Sequence, residues 1–145
     1  MCYHTASVTR ERRPVFSIVE NAELLLEAIN YVRNSDKAHV LAFAIMMDHM
    51  HLLLVPKDEH SLSDIMKAIK NYSATMINRR MGTKGALWQQ SFYDRVVRSE
   101  RHLTKTIEYI HRNPVVAGLA TELGDYRFAS DHPVTSVDLE AFLDG

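Results

Sequence analysis

Cysteine is nearly absent: Cys2 is the only one in 145 residues. A lone cysteine excludes an intramolecular disulfide and cannot build a zinc–cysteine cluster. No apolar stretch approaches the roughly 20 residues that cross a bilayer. The N-terminus lacks the basic-then-apolar order of a signal peptide, so a cytoplasmic protein with no membrane partner is the expectation. No internal repeat or low-complexity segment interrupts the chain. Its length suits one domain over residues 1–145, and an apolar content of 46% is enough for a sizeable core.

Charge of one sign is also lacking, since the formal net charge is only −1. The distribution is uneven, however. Between Met66 and Arg112 ten bases face three acids, a surplus of seven positive charges. Such asymmetry suggests a basic face for a polyanion, although a solvated helix surface gives the same count.

The chain is organised around Asp48-His49-Met50-His51. Apolar runs precede it (Val40 to Met47) and follow it (Leu52 to Val55), and Pro56 closes the second. Two short apolar runs joined by polar residues read as neighbouring strands of a hairpin. Side chains alternate along a strand, so His49 and His51 share a face, about 7 Å apart. That spacing lets two imidazoles reach one metal ion, while Leu52 and Leu54 enter a core on the other face. With eight histidines in the chain, a chance pair at the surface is the alternative.

Other elements follow in order. Tyr3 to Val8 is β-prone, and Arg10 to Pro14 reads as a charged loop. Asn21 is a candidate N-cap for a helix with Leu24, Leu25, Ala28, Ile29 and Val32 on one stripe, fading at Asn34 and Ser35. Ser61-Leu-Ser-Asp64 resembles a capping box for a second helix that ends near Arg80, before Gly82. Ser91 to Arg98 reads as a fourth strand. Ser99 caps a third helix carrying Leu103, Ile107 and Ile110, and Pro114 is expected to stop it. Gly118 to Gly145 is expected to be mostly irregular. The order β-α-β-β-α-β, plus one helix, predicts an α+β fold. Its form is a ferredoxin-like or RRM-like antiparallel sheet, helices on one face and the extra helix appended.

On that third helix Tyr109 lies beside the apolar stripe, and Asn113 is one turn further along the same flank. His102 and Thr106 fall there too. A phenol and a carboxamide so placed either face a groove beside the sheet or are ordinary core-edge and capping residues.

The chain resembles the single-tyrosine HUH transposases, and within them the REP-associated tyrosine transposases. The resemblance is carried by Asp48-His-Met-His-Leu-Leu-Leu54, Ser61 to Lys67, Gly85-Ala-Leu-Trp-Gln89, Asp94-Arg95 and Arg98. It continues through Tyr109-Ile-His-Arg-Asn-Pro-Val-Val-Ala-Gly-Leu119 to Asp125-Tyr126. It implies that His49 and His51 bind a divalent metal, that Asn113 is the third ligand and that Tyr109 is the nucleophile. The chain departs from the family at Thr5-Ala-Ser7 and at Gln90, where glycine is frequent. Neither departure touches the catalytic set.

The activity so implied is metal-dependent cleavage and rejoining of single-stranded DNA through a 5′-phosphotyrosine, as in transposition. A phenol, with an ordinary pKa of about 10, needs activation to attack a phosphodiester. Two imidazoles and an amide oxygen suit Mg²⁺ or Mn²⁺ in use. Lys67, Lys70, Arg79, Arg80, Arg95 and Arg98 are candidate phosphate contacts. Trp88 is a candidate base-stacking platform or, equally, a lid on the core. The expected partner is hairpin-bearing single-stranded DNA, and monomer or homodimer stays open. Two rivals remain. A histidine-triad nucleotide hydrolase would carry a third alternating histidine where Leu53 stands. A non-catalytic nucleic-acid-binding module would show exposed aromatic pairs on its central strands.

Overall fold

A computed structural model describes all residues, 1–145. Four strands form one sheet: β1 (Cys2–Val8), β2 (Ala38–Ile45), β3 (His49–Pro56) and β4 (Tyr93–Val97). Their order is β2-β3-β1-β4, and every neighbouring pair is antiparallel. Helices α1 (Val19–Asn34), α2 (Leu62–Met81), α3 (Glu100–Val116) and α4 (Leu139–Asp144) complete the chain. The expected α+β, ferredoxin-like arrangement is what the chain adopts.

Alternation in β3 builds two cores. Met50, Leu52 and Leu54 join Val40, Phe43 and Ile45 on one face of the sheet. There they pack on Leu25, Ile29 and Val32 of α1 and on Ile65, Met66, Ile69 and Ile77 of α2. Leu53 on the other face joins Leu41, Ala44, Val97 and Ile110, the last from α3. The appended helix therefore lies across the sheet from α1 and α2. Each fully buried leucine here is worth about 2–5 kcal/mol against alanine.

Local signals set three helix ends. Ser61 Oγ accepts the Asp64 N–H (3.1 Å) at the start of α2. Gly82, at φ +68°, takes the left-handed turn that ends it. Ser99 Oγ accepts the His102 N–H (3.1 Å) at the start of α3.

Three expectations need correction. Asn21 does not cap α1, which starts at Val19. It is buried, donates to the Val15 carbonyl (2.9 Å) and accepts from Arg80 Nε (3.0 Å), so it ties α1 to α2. Pro114 does not stop α3, which runs on to Val116. In the last turn a missing N–H costs a single ladder bond, and Ala117 N–H to Asn113 O (2.9 Å) and Leu119 N–H to Pro114 O (2.8 Å) close the end.

The tail is not merely irregular. It carries α4 and runs along the outer side of β2. Ile45 N–H donates to Phe128 O (2.8 Å), Ser130 N–H to Phe43 O (2.9 Å) and Asp138 N–H to Val40 O (2.8 Å). Arg33 grips Asp138 through two nitrogens (2.9 and 3.0 Å).

Candidate active site

Cross-strand partners share a face, and the register fixes which side chains meet. Ala6 pairs with His51 and with Tyr93, and His4 pairs with Leu53 and with Arg95. His4, His49, His51, Tyr93 and Arg95 therefore stand on the α3 side of the sheet. The expectation that His49 and His51 project together from a strand of the sheet holds.

Each histidine has one ring nitrogen committed. His49 Nδ1–H donates to Asp48 Oδ1 (2.7 Å), and Asp48 Oδ2 accepts from Arg12 (3.1 Å). Burial alone would raise the Asp48 carboxyl, but the His49 and Arg12 bonds outweigh it and hold it below its ordinary value. His51 Nδ1 lies 3.0 Å from His4 Nε2. Burial, with His4 and His49 close by, pushes His51 down to about 3, so its imidazole stays neutral at neutral pH. Burial, followed by Arg95 and His102, also lowers His4.

Both Nε2 atoms are left without a protein partner, on rings whose centroids are 5.1 Å apart. Imidazoles with anchored Nδ1 atoms are the usual form of a metal-ligating pair. No group of three or more histidine, cysteine, aspartate or glutamate side chains is arranged as a metal cage. His4 does not extend the pair, because its Nε2 is spent on His51.

Tyr109 hangs over this cluster from α3. Its ring meets His51 edge-on (centroids 5.6 Å) and His4 likewise (5.9 Å), while 54% of the residue is exposed. More than half of the residue therefore stays open to solvent beside two imidazoles. Asn113 sits one turn on, and its Nδ2 donates to the Tyr109 carbonyl (2.8 Å). Its side chain makes no hydrogen bond to His49 or His51.

Residues 1–113, the span that holds all of these groups, match the family model described as Transposase IS200 like. The chain belongs to the IS200-like transposase family. The REP-associated tyrosine transposase of Escherichia coli (strain K12) is 24% identical over 111 residues, covering 76% of this chain and 64% of that protein. The chain spans less than two thirds of the curated relatives it matches, 58% of one and 64% of the other. A solved structure of the REP-associated tyrosine transposase bound to a REP hairpin shares the fold. Its TM-score is 0.75 at 23% identity, covering 90% of this chain and 76% of that one.

In this member of the family the basic candidates separate. Arg95 is on the histidine face. Lys67, Lys70, Arg79 and Arg80 are on α2, across the sheet. Lys70 donates to the Gln89 carbonyl (2.9 Å), and burial lowers its pKa. Arg80 is held by Asn21. Arg98 is exposed just before α3.

Trp88 corrects an expectation. It is 6% exposed, packs on Phe16 and donates its indole N–H to Ser73 Oγ (3.0 Å). It is a core residue, and no face of it is open to a base.

Two contributors were missed from the sequence. His4 and Arg12 reach the site through strand register and loop path, which no local pattern reveals.

Proposed function

We propose that this chain cuts and rejoins single-stranded, hairpin-bearing DNA through Tyr109, in the manner of a transposition reaction, with residues 1–145 acting as one domain. The observation that carries the reading is the edge-on packing of a half-exposed Tyr109 against His51, 5.6 Å between ring centroids. Family membership points to DNA as substrate. The structural relative is described as bound to a REP hairpin, which supports a hairpin-bearing strand here.

Chemically, the phenol oxygen of Tyr109 attacks the scissile phosphorus. A P–Oη bond forms and the bond from phosphorus to the 3′ oxygen breaks. The phenol gives up its proton, the departing oxygen gains one, and a 5′-phosphotyrosine and a free 3′-OH result. In the reverse step a 3′-OH attacks the adduct and frees the tyrosine. Each step exchanges one phosphodiester for another, so no external energy source is needed.

His49 and His51 would hold a divalent ion, Mg²⁺ or Mn²⁺, through their free Nε2 atoms, with Asn113 Oδ1 as third donor. When bound, that ion supplies Lewis-acid neutralisation of phosphate charge. Asp48 and His4 orient the two imidazoles, and α3 carries Tyr109 to the same side, so that the nucleophile is held rather than recruited from solution.

The test is incubation with hairpin-bearing single-stranded DNA and Mn²⁺, followed by a denaturing gel. A protein–DNA adduct is expected with the wild type and none with Tyr109→Phe. No adduct from the folded wild type, or an unchanged adduct from Tyr109→Phe, overturns the proposal.

A further inference from the structure

A cleft of about 440 Å³ opens beside Tyr109 on the β4 side. His4, Tyr93 and Arg95 line it from the sheet; His102, Lys105 and Tyr109 line it from α3. The volume lies within the range of small-ligand sites.

Register and helix period explain the lining. Arg95 is opposite His4, and Tyr93 opposite Ala6, so both side chains point to α3. Positions 102, 105 and 109 recur on one stripe of the helix. Asp94, between Tyr93 and Arg95, turns to the other face by alternation. The cleft therefore collects an arginine, a lysine and two imidazoles with no carboxylate among its lining residues. Such a lining attracts an anion, and the planar fork of arginine matches two phosphate oxygens. Tyr93 is 58% exposed and belongs to neither hydrophobic cluster. Arg95 Nη2 donates to Tyr93 Oη (3.4 Å), which places the guanidinium beside the phenol hydroxyl.

We propose that this cleft is a subsite for one unpaired nucleotide next to the scissile phosphate. Arg95 and Lys105 take its phosphodiester, and Tyr93 stacks on its base. The assignment rests on the transposase reading, because Tyr109 closes one end of the cleft. It adds two residues, Tyr93 and Lys105, to the nucleic-acid surface, and it makes the strand run between β4 and α3 rather than over α2.

Fluorescence anisotropy with hairpin-bearing single-stranded DNA in EDTA tests it without chemistry. Arg95→Ala and Lys105→Ala should each lower the salt slope by about 0.7 unit, the contribution of one single-strand phosphate contact. Tyr93→Ala should weaken binding roughly five- to a hundred-fold, and Tyr93→Phe should retain it. Moving an abasic site along the strand should find one position that weakens the wild type but not Tyr93→Ala. If the wild type binds and all three alanine variants match it in affinity and slope, the subsite is wrong while the transposase reading stands. If the wild type neither binds DNA nor forms the adduct, both fall.

Discussion

His4 Nε2 and His51 Nδ1 lie 3.0 Å apart, and this contact decides which nitrogen of His51 remains free. For His51 to offer the Nε2 lone pair, its proton must sit on Nδ1 and be donated to His4. His4 must then accept, which a neutral imidazole protonated on Nδ1 can do.

His4 is therefore expected to be a positioning residue. His4→Ala should reduce Mn²⁺ affinity by roughly 10- to 100-fold, read by electron paramagnetic resonance titration without DNA. His4→Gln, which keeps an acceptor, should recover part of the loss. Wild-type Mn²⁺ affinity in His4→Ala would remove the role.

The proposed metal pair makes a separate expectation. His49→Ala or His51→Ala should abolish cleavage yet keep most DNA affinity in a filter-binding assay, since the proposed phosphate contacts lie elsewhere. Asn113→Ala should be milder, because water can replace an amide oxygen. Cleavage that persists in EDTA would contradict the whole ligand assignment.

Trp88 now carries a stability prediction in place of a binding one. Trp88→Ala should destabilise the fold by about 3–5 kcal/mol in chemical denaturation. Trp88→Phe, which loses the bond to Ser73 and part of the buried ring volume, should cost about 1–3 kcal/mol. DNA affinity of the folded Trp88→Phe protein should match the wild type; a large loss would return Trp88 to the nucleic-acid surface.

The tail has its own pH signature. Burial would raise Asp138, but Arg33 and the Val40 N–H outweigh it and lower its pKa. A carboxyl with a lowered folded pKa stabilises the fold above its unfolded value of about 3.9, and that contribution disappears as pH falls through the folded value. Asp138→Asn should cost about 1–2 kcal/mol at pH 7. The gap to wild type should close below about pH 4 in urea titrations. A constant gap from pH 7 to pH 3 would rule out the ion pair as its source.

Legibility from sequence followed the range of the interactions. The alternation through Leu54 gave the shared face of His49 and His51, and helix spacing gave the neighbourhood of Tyr109 and Asn113, because both depend on residues a few positions apart. The His4–His51 contact spans 47 positions and depends on β1–β3 register, which nothing in the local pattern of either strand encodes. Trp88 could not be decided for the same reason: its partner Ser73 is on α2, and only packing shows that the indole is covered. Basic residues counted along the chain looked like one face; the sheet divides them between two.

The tail laid along β2 leaves the sheet with one sealed border and one open one. Backbone N–H and C=O groups on the outer side of β4 have no strand beside them. An extended segment from any other molecule has only that margin to join. It is five residues long and carries Asp94 and Arg95, features that discourage indiscriminate strand addition. A guest seated there would also stand at the mouth of the cleft that holds Tyr93 and Lys105. Enlarging the sheet and admitting the proposed nucleic-acid strand would thus be rival uses of a single frontier.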